Sequence, residues 1–471
     1  MNRRKFLSGS ALLTGALTLN PLDLFGKSPQ EQLDFKGKKA KNIIFMISDG
    51  MSNGTLSMAN LYSKNILGRE THWMNLYLEN KASRALMDTA SANSIVTDSA
   101  AASSSFGGGF RVNNGSLNVG PNGEQHLPIW QKFKRKGKKA GCVTTVTITH
   151  ATPAGFCINS AKRSAEADIA EMYAEFGFDV MMGGGDEFFN PQKRKDRKDI
   201  YSAYKRKGYL VLKGREELKN VDKSKPVLGV FNTGALPYFI DRESTPELQN
   251  IPTLAEMTKS AIDQMKDHKE GFVLQVEAGK VDWAAHANDV AALIHDQLAF
   301  DEAIKVVMDF AEKDKDTLVI ITTDHGNANP GTIYGADATK NFNSIANYKF
   351  TNEYLLNNIH SNFNIQQVKD WVVANNRFSL SDDEANHLLN FYRGLEKDED
   401  GLYNYKKLPY KAFSEIQKKH NAVGWISMDH SGDYVELAMH GPGSELLKPF
   451  VKNVDLHYFM LKVAEIENNF H

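Results

Sequence analysis

The sequence has little cysteine, with only Cys142 and Cys157 in 471 residues. Two cysteines do not make a disulfide framework, and two small buried apolar side chains are the reading they favour. An excess of either charge is also missing, because 56 Lys and Arg face 57 Asp and Glu for a net charge of −1. No global basic field therefore directs the chain to nucleic acid or an anionic membrane, and any affinity for phosphate has to be local. Long hydrophobic runs are absent too. The apolar stretch at residues 8–19 is too short for a membrane span, so no stable membrane anchor is expected. No internal repeat is visible, and no low-complexity linker divides the chain. There is no G-x-S-x-G elbow of the kind that marks a hydrolase triad.

What is there begins at the N-terminus. Asn2-Arg3-Arg4-Lys5-Phe6-Leu7 precedes the weakly apolar stretch, and paired arginines in that setting resemble a twin-arginine export signal. A plain basic tail is the bland alternative. Residues 1–39 are expected to be a signal peptide and leader, which implies a periplasmic or secreted protein. Residues 40–471 are enough for one large α/β core with insertions.

Several apolar, β-branched runs stop at chemically capable residues. The run from Asn42 ends at Asp49-Gly50, and that from Gly141 ends at His150-Ala151-Thr152. The run from Gly271 ends at Glu277, and that from Thr317 ends at Asp324-His325. Continuous runs of this kind read as strands buried on both faces, and amphipathic segments at 254–268 and 290–312 lie between them. The alternation predicts a doubly wound, mostly parallel sheet with helices on both faces. Such sheets bind ligands beyond the carboxyl ends of their strands, so four strands deliver these side chains to one edge. Two stretches interrupt the pattern. Residues 186–250 read as an embedded insertion. Residues 327–422 read as a cap or crown-like insertion beside the site, with a specificity cap and a dimer contact equally open.

Thr97-Asp98-Ser99-Ala100-Ala101 places a serine where a small-residue helix begins. Free N–H groups and the helix dipole favour an anion there, but taken alone the segment reads more readily as an ordinary N-cap by Ser99 or Asp98. A serine hydroxyl is a weak nucleophile until a base or metal activates it. Asp282 and His286, spaced i, i+4, share one helical face and can share a cation. Asp324-His325 and Asp429-His430 add two further acid–imidazole neighbours. Nitrogen with carboxylate oxygen suits zinc, whereas the oxygen donors Glu277 and Thr152 suit magnesium. Arg163 carries a guanidinium fork that fits two phosphoryl oxygens, though a solvated helix arginine is its default reading.

In this order, the motifs resemble the alkaline phosphatase family, over segments running from Lys41 to His440. Asp179-Val180-Met181-Met182-Gly183-Gly184-Gly185 also resembles an internal glycine motif of that family. The resemblance implies hydrolysis of small phosphate monoesters through a phosphoserine on Ser99, with two zinc ions and one magnesium. Matched by position, Asp282, His286 and His430 would hold one zinc, and Asp49, Asp324 and His325 the other. Asp49, Thr152 and Glu277 would hold magnesium, and Arg163 the phosphoryl oxygens. A homodimer is implied by the resemblance alone.

Two positions depart from the pattern. His150 stands where many bacterial members have aspartate, so it is expected to act behind the ligands or through water. Trp283 stands near the phosphate where other members have lysine or histidine. A phosphodiesterase of the same superfamily is the alternative. A sulfatase is disfavoured, because no C/S-x-P-x-R segment surrounds Ser99. A non-catalytic metal- or phosphate-binding export protein would require a missing nucleophile or ligand, and each has a candidate.

Overall fold

The computed structural model describes residues 39–398 and 401–468. The expected signal at residues 1–39 lies almost wholly outside the described residues. Ten strands form one sheet: β1 (Asn42–Ile47), β2 (Ser83–Asp88), β3 (Lys139–Thr147), β4 (Val180–Gly184), β5 (Leu210–Leu212), β6 (Val227–Val230), β7 (Phe272–Glu277), β8 (Thr317–Thr322), β9 (Val435–His440) and β10 (Phe450–Lys452). Their spatial order is β10-β2-β9-β8-β1-β7-β3-β4-β6-β5. Every pairing is parallel except those of β9, which runs antiparallel to both β2 and β8. The mostly parallel α/β sheet is therefore as the sequence pattern predicts.

β1, β7 and β8 are buried at every position, which explains their continuous apolar sequence. Alternation along β1 sends side chains to both faces. Ile44 and Met46 join a cluster with Leu254, Met257, Leu293 and Phe300, from the Leu254–Met265 and Val290–Asp314 helices. Phe45, between them, stacks instead against Phe106 and Phe156. Helices thus cover both faces.

Register then sets the site. Ile47 pairs with Glu277 on one side and Thr322 on the other, while Thr144 pairs with Glu277. Asp49, Glu277 and Asp324 consequently leave the sheet at one level.

The 186–250 stretch, expected as an embedded insertion, contributes to the central sheet. It carries β5 and β6, which extend the sheet beyond β4. Its lysine-rich sequence obscures this because β5 is an edge strand, only one of whose sides is paired. The 327–422 stretch is largely helical, with helices at Asn352–Asn357, Ile365–Asn376, Asp382–Phe391 and Tyr410–Asn421. It lines a cavity of about 1440 Å³ shared with Ser99, Arg163, His286 and His430.

Candidate active site and metal centre

Ser99 is the first residue of the Ser99–Gly108 helix, all of whose residues are buried. Asp98 is the cap, its carboxylate accepting from the Ala101 amide at 2.9 Å. That leaves the Ser99 hydroxyl free of capping, and it lies 3.3 Å from His325 Nε2. Small side chains let this helix press onto the short Ala151–Gly155 helix. A Cβ on Gly107 would collide with the Gly155 carbonyl, and one on Gly155 with Ser103. Ser103 Oγ donates to the Thr152 carbonyl at 2.6 Å, so the serine helix and the Thr152 segment are fixed to one another.

The ligand candidates gather in three groups, Asp282–His286–His430, Asp49–Asp324–His325 and Asp49–His150–Glu277. In the first, His286 Nδ1 faces the Met428 carbonyl at 2.6 Å and His430 Nδ1 the Thr97 carbonyl at 2.9 Å. A carbonyl only accepts, so each imidazole carries its proton on Nδ1 and turns a bare Nε2 inward. Those two Nε2 atoms are 3.1 Å apart, and they lie 3.4 and 3.6 Å from the Asp282 carboxylate. His325 repeats the device. Its Nδ1 faces the Gly326 carbonyl at 3.2 Å, while Nε2 lies 3.6 Å from Asp49 and 3.4 Å from Asp324. Acceptors turned on acceptors repel unless a cation stands between them.

Unpartnered polar atoms mark the same points. Asp49 Oδ1, Asp324 Oδ2, Glu277 Oε1 and His150 Nδ1 are buried without a hydrogen bond. Burial and the neighbouring carboxylates of Asp324, Asp282 and Glu277 push the Asp49 carboxyl well above its ordinary range. Burial likewise raises Glu277 to about 8 and Asp324 to about 6, and it holds His150 and His325 down at about 3. The Arg163 guanidinium offsets this clustering of carboxylates only in part, and the site suits divalent cations.

Thr152 Oγ1 donates to Asp49 Oδ2 at 3.3 Å, and Glu277 Oε2 accepts from Thr144 at 2.5 Å. His150 lies beside this group, with Nδ1 4.0 Å from Glu277 Oε1. Arg163 Nη2 faces His150 Nε2 at 3.2 Å. Donation from the guanidinium leaves the imidazole proton on Nδ1, turned toward the carboxylates. In this arrangement the His150 Nδ1–H is turned toward the Asp49 and Glu277 carboxylates, as a donor to a carboxylate or to water. Arg163 Nη1 also pairs with Asp98 at 3.1 Å. Trp283 lines the cavity, its ring 6.4 Å from that of His150. The buried Lys280 ammonium sits over the Trp283 ring at 4.5 Å.

A family profile for alkaline phosphatase matches residues 40–466. The chain belongs to the alkaline phosphatase family. It is accordingly an enzyme that hydrolyses phosphate monoesters, in a family that depends on metal ions. Alkaline phosphatase 3 of Bacillus subtilis is 31% identical over 93% of this chain and 92% of its own length. Alkaline phosphatase 4 of the same organism is 30% identical over 90% and 89%. The crystal structure of Thermus thermophilus alkaline phosphatase superposes with a TM-score of 0.83 at 32% identity, covering 91% of this chain and 92% of that one.

Within this alkaline phosphatase fold, sequence reasoning missed three supporting residues. Asn327 donates to Asp282 Oδ1 at 2.7 Å and pairs through its backbone with His430, tying the first group to the strand after His325. Its place two residues beyond His325 was the only local signal. Asp98 serves as both helix cap and anchor of Arg163. Gly50, at φ +68°, lies so close to Asp282 that a Cβ would overlap its carboxylate, and its amide donates to Asp324 at 3.1 Å. A left-handed turn without a side chain is what brings the first two groups together.

Proposed function

We propose that the chain hydrolyses phosphate monoesters through a phosphoserine on Ser99, with two zinc ions and one magnesium as resident cofactors. The observation that carries the reading is the set of three imidazoles whose Nε2 atoms, fixed by backbone carbonyls, face carboxylates beside the Ser99 hydroxyl. Asp282, His286 and His430 would hold one zinc, and Asp49, Asp324 and His325 the other. Asp49, Thr152 and Glu277 would hold magnesium, with His150 donating beside them. When bound, these cations supply Lewis-acid stabilisation of the attacking and departing oxygens.

The chain's own groups do the rest. Ser99 Oγ attacks phosphorus as the ester oxygen departs with its alcohol, leaving phosphate on the serine. Water then attacks that phosphorus, freeing Ser99 and releasing inorganic phosphate. The guanidinium of Arg163, braced by Asp98, is placed to hold two phosphoryl oxygens, and the first turn of the Ser99 helix offers amides to the same charge. Ser99→Ala should retain zinc yet show no intact-mass increment of one phosphate when quenched at acid pH with substrate. A covalent phosphate on another residue would overturn the assignment.

We also propose export by the twin-arginine route, on the Arg3-Arg4 motif. Among the described residues no helix is long and apolar enough to cross a membrane. A reporter fused to residues 1–39 should stay in the cytoplasm when both arginines are replaced by lysine; continued export would count against this route.

A further inference from the structure

We propose that this site takes phosphate monoesters whose leaving alcohol carries a bulky, uncharged aromatic group, recognised by the wall that residues 391–398 and 401–410 contribute. The inference rests on the phosphomonoesterase reading and deepens it. The cavity of about 1440 Å³ exceeds the roughly 300–1,000 Å³ of pockets that enclose a small organic ligand. A phosphoryl group held by Ser99 and Arg163 leaves most of that space for the rest of the substrate.

The wall facing this space is apolar in an unusual way. Phe391, Leu402 and Tyr405 line it with 39%, 50% and 63% of their surface exposed. The buried rings of Tyr403 and Tyr410 back this wall, and Trp283 adds aromatic surface from beside His150. Single exposed apolar side chains need no explanation, but several in one concave wall mark a binding surface. The wall's charges oppose one another: Lys397, Lys406 and Lys411 stand against Glu353, Glu396, Asp398 and Glu415. Lys397 is moreover engaged, donating to the Asn357 carbonyl at 3.0 Å and lying over the Tyr403 ring. With four acids against three lysines the wall carries a net charge of only about −1, which does not select a charged substituent. An aromatic group gains both apolar burial and ring contacts there.

The full chain, loaded with zinc and magnesium, can be assayed on ethyl phosphate and phenethyl phosphate. Their leaving alcohols have similar acidity, so the ratio of kcat/KM values reports recognition of the substituent. Phenethyl phosphate should be preferred by about ten-fold or more. The triple variant Phe391→Ala, Leu402→Ala, Tyr405→Ala should bring the ratio to within about three-fold of unity. Tyr405→Ala alone, removing a largely exposed side chain, should shift it the same way should the triple variant fail to fold. Equal kcat/KM for both esters, or a ratio unchanged by the variants, would overturn the inference while leaving the phosphomonoesterase reading intact. Absence of turnover with either ester on zinc-loaded protein would overturn that reading, and this inference with it.

Discussion

At the scale of single residues, the site depends on which atom of each side chain is left bare. His286, His325 and His430 commit Nδ1 to carbonyls, and only Nε2 remains for a cation. His150 faces the opposite constraint, because Arg163 occupies its Nε2. The residue types and their strand-end positions were legible in the sequence, since buried apolar runs point to them. The tautomer of His150 was not, because it follows from a guanidinium thirteen residues on that the fold returns to the imidazole. Arg163→Ala should weaken competitive inhibition by inorganic phosphate by about 10–100-fold, the loss of charge-assisted hydrogen bonds worth roughly 1.5–3 kcal/mol. An unchanged inhibition constant would remove Arg163 from the site.

At the scale of elements, the junction between the 327–422 stretch and the core is held by buried carboxylates. Asp241 accepts from the Thr351 amide and hydroxyl, and Asp289 from the Asn352 amide; Asp296, in the same charge cluster, accepts from the Phe239 amide of the 186–250 stretch. Burial raises Asp241 to about 6 and both Asp289 and Asp296 to about 7, with Lys280 and Glu353 facing the same cluster. The folded state therefore keeps a proton on Asp296 that the unfolded chain releases. Stability falls as pH rises from the unfolded carboxylate value near 4 through about 7, and above that the loss is complete. Asn at 296 keeps an oxygen acceptor for the Phe239 amide and cannot ionise. Urea unfolding of zinc-loaded Asp296→Asn should show it gaining on the parent protein by on the order of 1–2 kcal/mol between pH 5 and pH 8. A gap that does not change with pH would refute this account. The helices of this stretch were foreseeable, as at 365–375 against the observed Ile365–Asn376. Their place beside the site was expected as well, but not which of their side chains line the Ser99 cavity.

At the scale of the whole molecule, one sheet edge collects carboxylates and imidazoles from segments far apart in sequence. Asp49, Glu277 and Asp324 concentrate negative charge in a buried space, so cations that bind there stabilise the folded state by mass action. Chelation should abolish turnover and lower the thermal midpoint by several degrees, on the order of 2–4 kcal/mol of lost ligand stabilisation. Zinc should restore activity better than magnesium alone. Full activity in the presence of a strong chelator would exclude the metal-dependent reading.

The sequence by itself determined the parallel sheet, because strands buried on both faces must be continuously apolar. It determined the chemical inventory too, because Asp, His and Glu stand where those runs stop. Only the tertiary structure decided how the inventory is shared out. Asp49 is shared by two ligand groups because β1 lies between β7, which ends at Glu277, and β8, which leads to Asp324, while Gly50 turns left-handed against Asp282 and Asn327 binds Asp282 from another strand end. It also decided that residues 186–250 extend the sheet and that residues 391–398 and 401–410 wall the cavity. The physical reason is common to all of these. Periodicity and residue type act over a few positions, whereas the approach of segments hundreds of residues apart is set by register and packing.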